Sequence, residues 1–275
     1  MISIARKYPY RLVVFDLDGT LVDENLQMTA EDLKYIKQVR RGGIEVTLAT
    51  GRTFRSAVPY IHKLDIDLPV ILCNGAAIVN PKTGNIMYQE KLHPEAAILV
   101  VEKTLTTNLD CLLYTDPLSD CPVVSCLTPL LSDFIRIEGL RWVEINDLIE
   151  IVATDPPIKV QVVGYEEDTL IRLQRDVAIR VPEISIVMTQ GDYLEVMPVT
   201  VSKGSALERL GKLLKIPLSH IVAFGDSLND LELLSSAGIG IALADAPEEL
   251  KEEADMTVPS VAAGLKELLS WSFEL

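Results

Sequence analysis

Short apolar runs alternate with helical patterns over residues 1–83 of the chain. Leu12–Phe15 is a continuous apolar run, which is typical of a strand that is buried on both faces. Thr29, with Asp32 three residues later, starts a helical pattern that ends at Gly42. Two further strands are predicted over residues 44–48 and 70–73.

The same alternation returns over residues 197–275. Ser202 can cap a helix whose apolar positions follow the 3.6-residue period. A buried strand is predicted over residues 221–224, a helix over residues 228–237 and a further strand over Ile239–Leu243. Strand, helix and strand in repetition predict the α/β class, with a doubly wound, mostly parallel sheet of the Rossmann type.

The middle of the chain has a different pattern. Its short strands and mixed helical stretches are typical of an α+β domain, and residues 185–188 and 193–196 predict a β-hairpin with a four-residue loop. Turn-rich stretches near residues 81–85 and 197–202 bound this region. We therefore expect an inserted domain over residues 84–196, with residues 1–83 and 197–275 forming the core.

The net charge of the chain indicates which classes of partner are disfavoured. Of 275 residues, 40 are Asp or Glu and 25 are Lys or Arg, which gives a formal net charge of −15. This balance argues against nucleic acid and anionic membranes as partners, because both are bound by basic patches. The four cysteines form no CxxC pair, and neither a signal peptide nor a membrane span is indicated. We therefore expect a cytoplasmic protein.

Polar side chains follow the predicted strands at the points where the strands end. Asp16 and Asp18 come directly after the first strand, and Thr50 follows the second. The other candidates also stand at strand ends or at the start of a helix, and they are Gly51, Arg52, Asn74, Gly75, Lys203, Asp226, Asn229 and Asp230. In a doubly wound sheet the carboxyl ends of the strands form the binding edge, so these residues are expected to converge there.

Carboxylates gathered at one edge require a positive charge beside them. Two unit charges about 4 Å apart repel by roughly 4 kcal/mol at an effective dielectric near 20. Oxygen ligands without His or Cys favour a hard cation, and Mg²⁺ is the usual choice beside phosphates. Asp16 and Asp18 would share one face of an extended segment, so one can attack while the other moves protons. Thr50, Lys203 and the backbone amides of residues 19–21 would suit an anionic group.

Four segments resemble the motifs of the haloacid dehalogenase-like (HAD) superfamily, namely FDLDGTL at residues 15–21, ATGR at 49–52, SKG at 202–204 and FGDSLND at 224–230. The large insert between the second and third motifs, together with CNGA at residues 73–76, is similar to the Cof-type branch (subclass IIB) of sugar-phosphate phosphatases. The likeness spans nearly the whole chain and is strongest in the core segments. It implies a HAD core with an inserted cap domain that governs substrate specificity.

The resemblance also implies roles for the motif residues. Asp16 would be the nucleophile and Asp18 the general acid and base, while Thr50 and Lys203 would hold the phosphate. The implied ligands of Mg²⁺ are Asp16, Asp18 through its backbone carbonyl, and Asp226, with Asp230 supporting the metal shell. The implied substrate contacts are Arg52 and Asn74 at the mouth of the site, with Gly51 and Gly75 beside them, and Asn229, which would orient Lys203 or the phosphate.

These features together predict a Mg²⁺-dependent phosphatase that acts on a small phosphorylated metabolite, a sugar phosphate above all, through an aspartyl-phosphate. We expect a monomer or a weak homo-oligomer. A phosphomutase would share every motif, and a sugar-phosphate sensor without catalysis stays open as well. A phospho-receiver signalling module uses similar residues. Resemblance to that class would imply no acid and base two residues after the nucleophile, so the presence of Asp18 argues against it.

Overall fold

The computed structural model describes residues 9–107, 109–164, 166–189 and 193–271. Within these residues the chain forms two compact units. The first unit is drawn from residues 1–51, 57–87 and 202–275, and the second from residues 52–56 and 88–201. None of the helices in this described part of the chain is long and apolar enough to cross a membrane.

The strands and helices are numbered in chain order. The first stretch contains β1 (Leu12–Phe15), α1 (Ala30–Arg41), β2 (Glu45–Leu48), α2 (Phe54–Lys63), β3 (Val70–Leu72), β4 (Ala77–Val79) and β5 (Ile86–Gln89). The middle stretch contains α3 (Pro94–Leu105), β6 (Asp110–Tyr114), β7 (Val123–Val124), α4 (Pro129–Glu138), β8 (Val143–Glu144), α5 (Leu148–Thr154), β9 (Lys159–Val163), α6 (Glu167–Arg180), β10 (Ile184–Thr189) and β11 (Tyr193–Pro198). The last stretch contains α7 (Lys203–Leu214), β12 (Ile221–Gly225), α8 (Leu231–Ser236), β13 (Ile239–Leu243), α9 (Glu248–Glu253), β14 (Met256–Val258) and α10 (Val261–Ser270).

The main sheet of the first unit is parallel throughout, in the order β14-β13-β12-β1-β2. Strand β1 lies inside this sheet, and all four of its residues are fully buried. A parallel bridge from Ala49 to Ile71 leads on to β3, which belongs to a small sheet of order β3-β4-β5. The predicted α/β class with a mostly parallel central sheet is therefore confirmed.

Local signals explain where the helices of this unit begin. Helix α1 starts after Thr29, whose hydroxyl oxygen accepts the amide N–H of Asp32 at 3.0 Å. Asp32 in turn accepts the amide N–H of Ala262 at 2.7 Å and so joins α1 to α10. Helix α7 starts after Ser202, which accepts the amide N–H of Ser205 at 3.0 Å. Both predicted helix starts are confirmed.

For two of the predicted elements, backbone geometry explains why a boundary is wrong. The strand predicted over residues 70–73 ends at Leu72, because Cys73 has a positive φ and leaves the extended conformation. The helix predicted over residues 228–237 is a 3₁₀ turn over Leu228–Asp230 followed by α8. The carboxylate of Asp230 accepts the amide N–H of Ser227 at 3.1 Å and holds this tight turn.

The second unit contains a six-stranded sheet in the order β10-β11-β9-β6-β7-β8. All its strand pairs are antiparallel except β7 with β8. Strands β10 and β11 form the predicted antiparallel pair, while residues 190–192 of its connection lie outside the described residues. One face of the sheet, with Val160 and Leu194, packs into an apolar core together with residues of α3, α5 and α6.

The extent of the second unit differs from the predicted insert of residues 84–196. It begins at Tyr88, ends at Val201 and also includes Arg52–Ser56. That short segment is held by the amide N–H of Phe54, which donates to the carbonyl of Pro117 at 2.8 Å, and by an Arg55–Asp120 ion pair at 3.3 Å. The sequence gives no sign of these contacts, because more than 60 residues separate the partners.

Candidate active site

Asp16 directly follows β1, which lies between β12 and β2 in the main sheet of the first unit. Its amide N–H donates to the carbonyl of Phe224 at 2.9 Å, which continues the pairing of β1 with β12 beyond the end of β1. Leu17 is fully buried, whereas Asp18 is exposed. The register of two parallel strands therefore brings Asp16 to the same sheet edge as the loop that follows β12.

Lys203 is the first residue of α7 and its side chain is 1% exposed. Its Nζ lies 2.6 Å from Oδ1 of Asp16 and 2.6 Å from Oδ1 of Asp230. Burial on its own lowers the pKa of Lys203, but the two carboxylates outweigh that effect and hold the pKa above its usual value. The ammonium is therefore charged and fixed beside Asp16.

Three carboxylates gather at this edge. Asp16, Asp226 and Asp230 each offer an oxygen, and these oxygens lie within 4.8 Å of one another. Burial raises the pKa of Asp16 well above its usual value, although the Lys203 ammonium opposes this shift, and burial also raises the pKa of Asp226. A single ammonium does not balance three carboxylates. An all-oxygen donor set with excess negative charge suits a hard divalent cation.

Hydroxyl groups fix the orientation of Asp226. The hydroxyl of Thr20 donates to its Oδ1 at 2.8 Å, and the hydroxyl of Ser227 donates to its Oδ2 at 3.1 Å. Gly19 has a φ of +86°, and a Cβ at this position would lie 2.1 Å from Oδ2 of Asp226. Only glycine fits there, since both the backbone conformation and the space exclude a side chain.

Asp230 links the loop after β12 to Lys203. Its Oδ2 accepts the amide N–H groups of Asp226 and Ser227, both at 3.1 Å, while its Oδ1 accepts from Lys203. The residue is fully buried. The resemblance implies that Asn229 orients Lys203 or the phosphate. In the structure Lys203 donates to Asp230, whereas Asn229 donates its side-chain amide to Asn74 at 3.2 Å. The carboxylate is the stronger partner for a buried ammonium.

The remaining candidates divide between the two units. Thr50 is fully buried, and its amide N–H donates to the carbonyl of Ile71 at 3.0 Å. Asn74 is buried, and its amide N–H donates to the carbonyl of Thr50 at 3.0 Å. Gly51 and Gly75 belong to the first unit with these residues, whereas Arg52 belongs to the second.

Two details were not anticipated by the sequence. The amide of Gly19 donates to the carbonyl of Val22, and that of Leu21 to the carbonyl of Leu17, both at 2.9 Å. These two amides close their own loop, so the predicted anion cradle there is wrong for them. The sequence analysis did not identify the hydroxyls of Thr20 and Ser227 as partners of Asp226. Thr20 follows a motif glycine and Ser227 follows Asp226 itself, so their positions could have suggested this role.

Comparison with known proteins identifies the family of the chain. A sequence model of the haloacid dehalogenase-like hydrolases matches residues 13–265. The chain belongs to this family. It is 30% identical over 248 residues to the HMP-PP phosphatase of an Enterobacter species, with 88% of the chain and 87% of that protein covered. The predicted enzyme class, a HAD-type hydrolase with phosphatases among its relatives, is thereby confirmed.

Solved structures share the fold. A haloacid dehalogenase-like hydrolase from Bacteroides thetaiotaomicron superposes with a TM-score of 0.81 at 26% identity, covering 94% of this chain and 99% of the other. A HAD subclass IIB sugar phosphatase superposes with a TM-score of 0.80 at 18% identity, covering 95% and 98%. The second comparison supports the fold alone. The first comparison agrees with the predicted resemblance to the haloacid dehalogenase-like family.

Proposed function

We propose that this HAD-type hydrolase removes phosphate from monoesters of small metabolites, sugar phosphates above all, through an aspartyl-phosphate on Asp16. The observation that carries the proposal is the contact between Asp16 and Lys203 inside a buried cluster of carboxylates. A nucleophilic carboxylate that attacks a phosphate dianion needs fixed positive charge beside it. Lys203 supplies that charge at hydrogen-bond distance.

The residues present fit a divalent cation, and we propose Mg²⁺. Asp16 and Asp226 would hold it together with the backbone carbonyl of Asp18, while Asp230 would support the shell through its contacts with Lys203 and the loop after β12. When bound, the cation supplies positive charge that offsets the carboxylates and the phosphate oxygens.

Two side chains carry the covalent steps of the proposed reaction. A carboxylate oxygen of Asp16 attacks phosphorus, the bond from phosphorus to the alcohol oxygen breaks, and Asp18 donates its proton to the leaving alcohol. Asp18 then takes a proton from water, the water oxygen attacks phosphorus, and the bond to Asp16 breaks to release phosphate. The exposed position of Asp18 supports this role, because an accessible carboxyl can exchange protons with both substrate and water.

Lys203 and Thr50 would hold the phosphoryl group. Lys203 already contacts Asp16 and would lie beside the oxygens of the attacked phosphate. Thr50 offers a buried hydroxyl from the loop after β2. Substrate contacts through Arg52, Gly51, Gly75 and Asn229 are part of the same proposal, which follows the resemblance. The four free cysteines support a reducing compartment such as the cytosol.

Phosphate release from a panel of esters tests the proposal. Purified protein with Mg²⁺ should release inorganic phosphate from at least one group of sugar phosphates, nucleotides or vitamin-like phosphates, and Asp16→Asn should release none. An isomerised sugar phosphate without free phosphate would identify a phosphomutase instead. Tight binding of a sugar phosphate without turnover would identify a sensor.

A further inference from the structure

The turn after β3 has a strained backbone. Three successive residues, Cys73, Asn74 and Gly75, have φ values of 50°, 53° and 104°. Residues other than glycine seldom adopt this left-handed region, and asparagine tolerates it better than most. Such conformations persist where the surrounding structure enforces them, and they concentrate at functional sites. The local sequence does not explain the positive φ values of this turn, so contacts with the surrounding structure must hold it.

The turn contacts three segments that carry motif residues. The backbone of Asn74 donates to the carbonyl of Thr50 at 3.0 Å, and its side-chain Oδ1 accepts from the amide of Asn229 at 3.2 Å. Gly75 lies against the residue before Lys203, since a Cβ on this glycine would lie 2.1 Å from the carbonyl oxygen of Ser202. One turn thus touches the phosphate-holding loop, the loop after β12 and the start of α7.

The side chain of Asn74 occupies a confined space within this arrangement. It is 5% exposed, and a Cβ at Gly51 would lie 3.0 Å from its Oδ1. The side chain therefore fills the gap between Gly51 and Asn229. A buried amide with a side-chain partner on another loop is suited to fixing the distance between the two loops.

We propose that Asn74 is a positioning residue that holds Thr50 and the loop of Asn229 in register, and that it does not act through contact with substrate. The inference rests on the proposed phosphatase function, because Thr50 is the group it would position. It differs from the role implied by the family resemblance, in which Asn74 faces the substrate. A displacement of about 1 Å in a phosphate-holding group can reduce turnover about a hundredfold.

Substituting glycine at position 74 distinguishes the effect of losing the side chain from the effect of backbone strain. Asn74→Gly accepts the positive φ but loses the contact with Asn229, whereas Asn74→Ala loses the contact and keeps the strain. We expect Asn74→Gly to keep a melting temperature close to wild type and Asn74→Ala to melt lower. Asp65→Gly is the matched control, because Asp65 has a φ of 58° at an exposed position outside the site. Its kcat should equal that of wild type.

Kinetics on two esters test the positioning role. We expect Asn74→Gly to lower kcat by about tenfold or more on both p-nitrophenyl phosphate and the best metabolite ester, with KM changed by less than about threefold. Asn229→Ala should lower kcat at least as much, because it loses the same link and also the substrate contact proposed for Asn229. The double variant should be no slower than the slower single variant by more than about twofold, because both changes break the same link.

Several results would overturn the proposal. A rise in KM for the metabolite ester with p-nitrophenyl phosphate unaffected would show that Asn74 contacts substrate. Losses of kcat that multiply in the double variant would show that Asn74 and Asn229 act separately, and an unchanged kcat in Asn74→Gly would remove the role. If wild type hydrolyses no ester, the phosphatase function fails and this role fails with it. A wild type that is active beside an unaffected Asn74→Gly refutes the positioning role alone.

Discussion

The Nζ of Lys203 lies 2.6 Å from Oδ1 of Asp16, although 187 residues separate the two in the sequence. Both side chains are almost fully buried, and Lys203 makes an equally short contact with Asp230. The start of α7 thus places a positive charge beside the end of β1. A buried charge network of this kind is costly when any one member is lost.

Loss of the Lys203 ammonium should destabilise the protein strongly. Lys203→Met leaves the neighbouring carboxylates without their ammonium, which in a buried network costs about 3 to 5 kcal/mol. Lys212→Met is the control on the same helix, because the Lys212 side chain is 80% exposed, and it should change stability by less than about 0.5 kcal/mol. Urea unfolding monitored by circular dichroism measures both. Equal stabilities of the two variants would contradict the buried network.

Asp16→Asn should abolish turnover, because an amide of the same shape cannot act as the nucleophile. Rapid acid quench of wild type during turnover should trap phosphate on the protein, whereas the variant should trap none. Asp65→Asn, at an exposed position, should behave as wild type in both measurements. A variant that kept a tenth of the wild-type rate would exclude Asp16 as the nucleophile.

Asp18→Ala should behave differently from Asp16→Asn. With p-nitrophenyl phosphate the leaving group needs little protonation, so Asp16 should still be phosphorylated while the attack of water is slow. The phosphoenzyme should therefore accumulate and be recovered after acid quench. An alkyl phosphate, which needs protonation to leave, should give far less adduct. Equal losses on both esters without any adduct would argue against Asp18 as acid and base.

The sequence predicts the parts of this protein that depend on local signals. The bounds of β1 follow from its apolar run, and the start of α1 follows from the cap at Thr29. The sequence also brings Asp16 and Lys203 to one sheet edge, because strand order in a doubly wound fold implies it. For these features the pattern within a few residues, or the topology, is enough.

Contacts between distant segments were beyond local reasoning. Asp230 and Lys203 are 27 residues apart, and the sequence around them does not show which carboxylate contacts the ammonium. The positive φ of Cys73 has no local cause, since nothing about a cysteine favours it. These details depend on how neighbouring loops pack, and the sequence of a single segment does not determine that packing.

The cysteines should differ in reactivity according to burial. Burial raises the pKa of the Cys111 thiol to about 12, so only about one molecule in ten thousand carries a thiolate at pH 8. Cys126 is exposed, Cys121 is partly buried and Cys73 is buried. A colorimetric disulfide reagent should therefore modify Cys126 first, and Cys126→Ser should remove that fast phase. Cys73 and Cys111 should react only after unfolding in urea. Fast reaction of Cys111 in the folded protein would contradict its place in the sheet.

Metal binding should be visible in stability as well as in turnover. Without a cation the ionised form of Asp226 is unfavourable, since burial raises its pKa and the ionised carboxylate therefore costs stability above that pKa. In EDTA, Asp226→Asn should thus melt no lower than wild type.

Adding Mg²⁺ should raise the melting temperature of wild type, because a ligand that binds only the folded state at 100 times its Kd adds about 2.7 kcal/mol. The same addition should leave Asp226→Asn nearly unchanged, while Asp245→Asn, at an exposed position, should respond as wild type does. Turnover should stop in excess EDTA and return with Mg²⁺. The cation assignment would be wrong if wild type turned over at full rate in EDTA, or if Mg²⁺ raised the melting temperature of Asp226→Asn as much as that of wild type.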